Sequence, residues 1–232
     1  MSDISKRLEL LQQRVSKACE AAGRSLTDVS ILAVAKTQPS SSISAALASG
    51  QQHFGENYLQ EALPKIGALP SADWHFIGSI QSNKTKDIAE NFDWVHSIGS
   101  MKVARRLSEQ RPADRIPLKV MIQINISGEG SKAGVAPGAA RLLASDISAL
   151  PSLSLQGFMT IPESSNTFEQ QRQPFRQLRK IRDNIAASLG IQLTHLSMGM
   201  TGDFAAAILE GATWIRIGTA IFGPRINSGD IE

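Results

Sequence analysis

The chain has 232 residues, of which 42% are hydrophobic and 19% are charged, and this balance excludes a chain that is disordered by composition. Its 24 lysines and arginines against 21 aspartates and glutamates give a net charge of +3, which excludes the strongly basic surface typical of nucleic-acid-binding proteins. The charged start, MSDISKRLELLQQRV, has no signal-peptide core, and no apolar run approaches the roughly 20 residues of a membrane span. We therefore expect a cytoplasmic protein without membrane contact.

The apolar pattern predicts an amphipathic helix at the start of the chain. Apolar residues recur at steps of three and four positions from Ile4 to Ala22, and Gly23 is well placed to end the helix. Cys19, the one cysteine, lies on this apolar stripe, so we expect a buried and unreactive thiol. A single cysteine excludes an internal disulfide and a cysteine-based metal cluster.

Strand-like and helix-like segments alternate after this helix. The predicted strands cover residues 29–35, 53–57, 74–78, 94–98, 116–127, 153–159, 193–199 and part of 213–223. The predicted helices cover residues 43–50, 58–66, 83–92, 101–110, 137–150, 168–189 and 203–211. Eight strands separated by helices imply parallel pairing and favour an α/β fold, a (β/α)8 TIM-type barrel with an extra N-terminal helix. No linker-like tract or internal repeat interrupts the series, so we expect a single domain over residues 1–232.

A doubly wound open sheet is the competing architecture. Such a sheet usually carries a glycine-rich fingerprint after its first strand. The segment AVAKTQPS contains no glycine, which favours the barrel. In a barrel, functional residues gather at the carboxyl ends of the strands.

Lys36 follows the five apolar residues ILAVA, at the carboxyl end of the first predicted strand. Burial in a barrel mouth disfavours the ammonium form and leaves a nucleophilic amine, which suits a Schiff base with a carbonyl compound. Two other interpretations stay open from this residue alone. Lys36 pairs with a carboxylate such as Glu56, or its ammonium group reaches water.

Two small-residue turns follow the last two predicted strands. LSMGMTGD supplies Ser197 and Gly199, and RIGTAIFG supplies Gly218 and Thr219 before a helical turn. Backbone N–H groups at such turns bind anions, and the loops after strands seven and eight form the usual phosphate pocket of a barrel. We therefore expect a phosphate site here, although Gly218 by itself would indicate no more than a turn.

Arg216 lies within the last predicted strand, where its side chain would point into the barrel. A buried arginine needs a partner, which would be either a carboxylate such as Glu56 or Asp203 or a ligand. The four histidines are scattered with no pair at metal-ligand spacing, so we expect packed or hydrogen-bonded side chains and no metal site. The three tryptophans are expected in the core.

An imine-forming lysine and a phosphate site at one barrel mouth suggest a phosphorylated aldehyde, of which pyridoxal 5′-phosphate is the obvious example. At these residues the sequence resembles the pyridoxal phosphate homeostasis protein family, small relatives of the amino-terminal barrel of alanine racemase. The matching stretches run in order along nearly the whole chain: LAVAKT, FGENYLQEALPKI, WHFIGSIQSNK, VHSI, QINISGEGSKAGV, LQGFMTIP, LSMGM and IRIGTAIFG.

The resemblance implies a single barrel that holds pyridoxal phosphate as an imine of Lys36. It also assigns the phosphate, the pyridine nitrogen and the face of the cofactor to residues of this chain. They are Ser197, Gly199, Gly218 and Thr219 for the phosphate, Arg216 for the pyridine nitrogen and Asn57 for the face of the cofactor. Where a serine and an acidic pair often follow MGM, this chain has Thr201, Gly202 and Asp203, so the turn on the phosphate side departs from the family pattern.

An arginine at the ring nitrogen keeps that nitrogen unprotonated and makes the ring a poor electron sink. The resemblance implies that racemases with this arrangement use a tyrosine from a second domain across a dimer, whereas this chain stops soon after Phe222 and has Tyr58 as its one tyrosine. We therefore expect no catalytic residues. The predicted function is a monomeric carrier or buffer of pyridoxal phosphate in vitamin B6 homeostasis, which passes the cofactor to apo-enzymes.

Three other functions compete with the carrier. The first is a pyridoxal phosphate-dependent amino-acid racemase of low activity. The second is a Schiff-base aldolase that acts on a sugar phosphate without the cofactor, and the third is a non-catalytic interaction barrel with a vestigial pocket.

Overall fold

The computed structural model describes residues 2–128 and 133–224, and within them eight parallel strands close into a barrel. Each strand pairs with its neighbour in chain order, and the first strand also pairs with the last. The strands are β1 Ser30–Val34, β2 His53–Glu56, β3 Asp73–Phe76, β4 Trp94–Ile98, β5 Leu118–Gln123, β6 Leu153–Met159, β7 His195–Ser197 and β8 Trp214–Ile217. The predicted (β/α)8 barrel is confirmed.

A helix follows every strand on the outside of the barrel. The helices are α1 Asp3–Ala21, α2 Ser40–Ala48, α3 Leu59–Ala68, α4 Thr85–Asn91, α5 Met101–Gln110, α6 Ala140–Ser148, α7 Phe168–Leu189, α8 Phe204–Leu209 and α9 Thr219–Phe222. Single 3-10 turns lie at Leu26–Asp28, Ser82–Lys84 and Pro137–Ala139. Over the described ranges, none of the helices has both the length and the apolar composition that a membrane span needs.

The extra helix predicted in front of the barrel is α1, which packs against α2, α8 and α9. The Ser2 side chain caps its first turn by accepting a hydrogen bond from the backbone N–H of Ser5. The buried stripe of α1 consists of Leu8, Leu11, Val15 and Cys19. The thiol of Cys19 is buried as predicted, and burial raises its pKa.

The hydrophobic core has two layers. The outer layer lies between the barrel and the helices and contains large side chains such as Phe54 and Trp74. The inner layer fills the barrel itself and consists of Leu32, Ile77, Trp94, Met121, Met159 and Trp214. All three tryptophans are therefore core residues, as predicted. Polar side chains share the barrel interior with this inner layer, and they belong to the site described below.

Predicted and observed element boundaries differ most around β5. The prediction extended this strand over residues 116–127, but β5 ends at Gln123. The chain then turns, because the side-chain oxygen of Asn125 accepts a hydrogen bond from the Gly128 N–H at 3.0 Å. Residues 129–132, part of the glycine-rich loop noted in the sequence, lie outside the described residues.

Candidate ligand-binding site

The carboxyl ends of the strands bring most of the predicted site residues to one mouth of the barrel. Lys36 follows β1, and β1 pairs along its length with β8. The backbone N–H of Arg216 on β8 donates to the carbonyl oxygen of Gly199 at 2.9 Å. Gly218 lies against β1, since a Cβ at Gly218 would be 3.5 Å from the Val34 carbonyl oxygen. The lysine and the two predicted phosphate turns therefore lie on three neighbouring strands.

The backbone on both sides of Lys36 is held by α3. The carbonyl oxygen of Ala35 accepts a hydrogen bond from Lys65 Nζ at 3.0 Å, and the Thr37 N–H donates to Glu61 Oε2 at 2.8 Å. Thr37 has φ of 63°, a left-handed conformation that costs a residue with a side chain about 1–2 kcal/mol. The hydrogen bonds from α3 offset this strain, so the turn that carries half-buried Lys36 is fixed in place.

A buried ion pair lies behind this backbone. Lys65 Nζ is 2.7 Å from Glu56 Oε1, and the two side chains are 9% and 0% exposed. Burial raises the pKa of Glu56, and the hydrogen bond from Lys65 opposes part of that shift. The other oxygen of Glu56 is buried without a hydrogen-bond partner among the described residues. The structure thus gives Glu56 the ammonium group of Lys65, where the sequence offered it Lys36 or Arg216.

The two turns predicted to bind phosphate lie side by side. Gly199 has φ of 90°, and a Cβ there would lie 2.6 Å from the Ala207 Cβ, so this turn requires glycine. Thr219 begins α9, and its Oγ1 lies 3.4 Å from Oγ1 of Thr201. The sequence singled out Thr201 only as part of a departure from the family pattern. A threonine follows each glycine, directly at Thr219 and after one residue at Thr201, and this is the signal that would have identified Thr201.

Arg216 is buried and donates to neutral oxygens. Its NH1 donates to Ser197 Oγ and its NH2 to the Thr160 carbonyl oxygen, both at 2.9 Å. Burial lowers the pKa of Arg216 to about 10 while the nearby charge of Asp203 opposes the shift, so the guanidinium is cationic at neutral pH. Ser197 has no exposed surface, and its Oγ also lies 2.9 Å from His96 Nδ1. The phosphate contact predicted for Ser197 therefore stays a prediction, because its hydroxyl is engaged inside the barrel.

The four histidines, which are scattered in the sequence, converge inside the barrel. His75 lies between His53 and His96, with ring-nitrogen distances of 3.3 and 3.0 Å, and His195 Nδ1 is 3.1 Å from Thr213 Oγ1. Burial is the largest cause that lowers the pKa of each ring. The predicted hydrogen bonding is confirmed, but contacts among the rings were not foreseen. Within the described residues, no group of three or more metal-ligating side chains could hold a metal ion.

A cavity of about 570 Å³ opens at the mouth beside Asn57, and Ile77, Gly78 and Gln123 are among the residues that line it. The Oδ1 atom of Asn57 is buried and has no hydrogen-bond partner within the described part of the chain. A side chain at Gly78 would collide with the Asn57 carbonyl oxygen, so glycine keeps these two segments in contact. Asn57 therefore offers an unsatisfied acceptor next to an open cavity.

Comparison with known proteins gives relatives along nearly the whole chain. The family model described as alanine racemase, N-terminal domain, matches residues 7–226. A Pseudomonas aeruginosa protein named pyridoxal phosphate homeostasis protein is 49% identical over 227 residues, which cover 97% of both chains. The Escherichia coli K12 protein of the same name is 43% identical over 233 residues, covering 97% of this chain and 98% of its own.

Solved structures show the same barrel. PipY of Synechococcus elongatus PCC7942, solved without pyridoxal phosphate, is 35% identical with a TM-score of 0.85 and covers 95% of this chain and 100% of its own. PipY with pyridoxal phosphate bound gives a TM-score of 0.83 at 34% identity, with the same coverage. Alanine racemase from Corynebacterium glutamicum shares the fold at 16% identity, with a TM-score of 0.67 over 96% of this chain and 63% of its own.

Proposed function

Because the chain belongs to the family of pyridoxal phosphate homeostasis proteins, which is built on the alanine racemase N-terminal domain, we propose that it binds pyridoxal 5′-phosphate and takes part in the homeostasis of this cofactor. The observation that carries the proposal is the mouth itself, where Lys36 follows β1 and the two turns predicted to bind phosphate follow β8 and β7, the next two strands of the barrel. The names of the curated relatives and the ligand of PipY support it.

The residues of the mouth fit the phosphate end of this ligand. Gly218 and Thr219 offer backbone N–H groups at the start of α9, and the hydroxyls of Thr219 and Thr201 lie together above that turn. Gly199 leaves the adjoining turn without a side chain. We propose that these four residues hold the phosphate. The phosphate contact predicted for Ser197 stays a prediction, since its hydroxyl accepts a hydrogen bond from Arg216 inside the barrel.

Other residues fit the remaining parts of the ligand. Lys36 would supply the amine for covalent attachment, and the buried Oδ1 of Asn57 is a polar atom that a bound ligand would satisfy. When bound, the cofactor supplies an aldehyde that condenses with amines and an electron-withdrawing ring. Arg216 remains cationic, so it would face an unprotonated ring nitrogen and limit the ability of that ring to stabilise a carbanion.

We infer from this arrangement a carrier or buffer that holds the cofactor without turnover and has no catalytic residues. The same proposal includes a monomeric, one-domain, cytoplasmic protein that passes pyridoxal phosphate to apo-enzymes. The names of the curated relatives are compatible with a protein that is not an enzyme. Sustained inversion of a single-enantiomer amino acid, above that of the Lys36→Ala variant, would contradict the carrier and support the racemase.

Covalent attachment is tested with Lys36→Ala and a matched surface control, Lys86→Ala. The Lys86 side chain is 69% exposed on α4 and lies 3.8 Å from Glu90. Each protein is incubated with pyridoxal phosphate, reduced with borohydride and digested, and the modified peptide is identified by mass spectrometry. We expect the wild type and the control to carry the adduct on Lys36 and the Lys36→Ala variant to carry none. An adduct on another lysine at wild-type yield would refute the assignment.

A further inference from the structure

A chain of polar contacts crosses the barrel interior from its amino-terminal face to its mouth, with an ion-pair contact at its start and hydrogen bonds from His53 onward. It begins at Asp73, the first residue of β3, whose Oδ2 lies 3.2 Å from Nδ1 of His53. It continues through His75 and His96 and ends at Ser197 on the last position of β7, with successive distances of 3.3, 3.0 and 2.9 Å. We call His53, His75 and His96 the histidine chain.

Packing holds the rings of the histidine chain in place. Trp94 stacks on His75 with an interplanar angle of 4° and a centroid distance of 5.4 Å, and Trp214 makes ring contacts with all three histidines. His75 and His96 have no exposed surface, and burial keeps the pKa of each well below its ordinary value. Both rings are therefore neutral at physiological pH, and each carries a single N–H.

Charged and titratable groups from the surrounding strands face the chain. They are Asp73, Lys119 and Asp93 around His53, Lys119 and His195 beside His75, and Arg216 and His195 beside His96. Among these groups, the described contacts place Asp73 nearest, with an oxygen 3.2 Å from a ring nitrogen of the histidine chain.

We propose that the histidine chain has two alternative proton orders and that Asp73, at the far face of the barrel, selects the order in which His96 donates to Ser197. In this first order every ring carries its proton on Nδ1. The Nδ1–H of His53 then donates to His75 and carries its partial positive charge close to the Asp73 carboxylate, His75 donates to His96, and His96 donates to Ser197 Oγ. In the second order the three donations between His53 and Ser197 are reversed, so Ser197 donates to His96 Nδ1 and the rings carry their protons on Nε2.

Asp73 favours the first order because the second one places two lone pairs against each other. If His75 Nε2 donated to His53 Nδ1, that Nδ1 would turn an unprotonated lone pair toward the Asp73 carboxylate at 3.2 Å. A neutral imidazole has one donor and one acceptor nitrogen, so fixing His53 fixes His75 and then His96. The charge of the Asp73 carboxylate thereby determines which nitrogen is protonated in all three rings.

At the mouth, the proton order affects the hydroxyl group of Ser197, which accepts a hydrogen bond from Arg216. In the first order Ser197 Oγ accepts from both His96 and Arg216, and its own hydrogen has no acceptor among the described contacts, a cost that the charge of Asp73 must outweigh. In the second order that hydrogen is directed to His96. The two orders hold the same four protons, one on each ring and one on the Ser197 hydroxyl, so they differ only in where these protons lie. Arg216 donates to Ser197 Oγ in either order, so Asp73 sets the direction of the Ser197 hydrogen.

The experiment uses the free protein with ¹⁵N-labelled histidine, whose four rings are assigned by single histidine substitutions, and identifies the protonated nitrogen of each ring by NMR. We expect Nδ1–H on His75 and His96 in the wild type at every pH from 5.5 to 8. In Asp73→Ala we expect Nε2–H on both rings above the pKa of His53. Lowering the pH protonates His53, which then donates from Nδ1 again, so Nδ1–H should return. The tautomer ratio should change at least roughly tenfold, the order expected for removing a full charge this close to a ring nitrogen.

Asp183→Ala is the matched control, because the Asp183 side chain is 55% exposed, close to the 54% of Asp73, and pairs only with its neighbour Arg182 in the described contacts. We expect its spectra to match those of the wild type. Nε2–H on His96 in the wild type would overturn the proposal without any variant. Equal tautomers in the wild type and Asp73→Ala at every pH would overturn it as well. The measurement needs no ligand, so its failure leaves the proposed function standing, and failure of pyridoxal phosphate binding leaves this inference standing.

Discussion

Replacing Lys65 by methionine removes the ammonium group behind Lys36 while keeping a side chain of similar length and volume. Lys65 Nζ donates to Glu56 Oε1 at 2.7 Å and to the Ala35 carbonyl oxygen at 3.0 Å. Glu56 has no exposed surface, so the variant leaves a carboxyl group buried without its cation. Removing one partner of a buried ion pair destabilises a protein by about 3–5 kcal/mol.

The loss of stability in the variant can be calculated more closely, because Glu56 can avoid an unpaired charge by taking up a proton. From an ordinary glutamate pKa of about 4.3, protonation at pH 7 costs about 2.7 units at 1.36 kcal/mol each, or about 3.7 kcal/mol. The lost hydrogen bond to Ala35 adds about 1 kcal/mol. We expect the variant to lose up to about 5 kcal/mol at pH 7 and about 2 kcal/mol at pH 5, where protonation costs only about 1 kcal/mol.

The sign of this pH dependence follows from the pKa of Glu56, which is raised in the folded protein. A carboxyl whose pKa is higher in the folded state stabilises the fold below its ordinary pKa, and that contribution is lost as the pH rises above it. Urea unfolding between pH 5 and 7 should therefore show the stability of Lys65→Met falling by about 1.4 kcal/mol per pH unit, more steeply than that of the wild type. Adding Glu56→Gln should remove this slope. A loss below 1 kcal/mol at pH 7, or an equal slope in the double variant, would refute the reasoning.

Three further predictions concern stability and reactivity. Gly199→Ala should lower the free energy of unfolding, measured by urea titration, by about 2 kcal/mol, because its Cβ would meet that of Ala207. In the control Gly202→Ala the new Cβ has nothing within 4 Å, so the free energy of unfolding should change by less than about 0.5 kcal/mol. Burial raises the pKa of Glu210, but hydrogen bonds from arginines outweigh it and the net pKa is lowered. Glu210 therefore stabilises the fold above the ordinary glutamate pKa, and this contribution is lost as the pH falls. Glu210→Gln should make the melting temperature fall less steeply on the acid side of its pH profile. Cys19 should react with a thiol reagent only at the rate of unfolding, and rapid labelling of the folded protein would contradict its burial.

Sequence periodicity predicted the elements whose apolar pattern is long or sharply bounded. The observed bounds of β4, α5, β6 and α7 coincide with the predicted residues 94–98, 101–110, 153–159 and 168–189. The pattern failed where a polar side chain ends a strand, as Asn125 does beyond β5, because a hydrophobic window carries no information on side-chain hydrogen bonds to the backbone.

The candidate site was predictable in its position but less so in its contacts. The barrel topology alone placed Lys36, Gly199 and Thr219 at one mouth, since the carboxyl ends of all parallel strands meet there. It did not tell whether a strand-end side chain faces the mouth or the interior, so the contacts of Ser197 with His96 and Arg216 were not foreseen. The pair that Lys65 forms with Glu56 was missed for a similar reason, since it joins a helix to a strand by a contact that no spacing rule encodes.

Closure of the barrel by its first and last strands has a consequence for how the protein is made. Lys36 leaves the ribosome early, while Gly199 and Thr219 emerge only when nearly all of the described chain has been synthesised. Until β8 joins β1, the nascent polypeptide has the amine but lacks the two turns that would recruit an anionic aldehyde to it. Loading of such a metabolite must then await completion of the ring of strands, so unfinished or truncated chains would not sequester it.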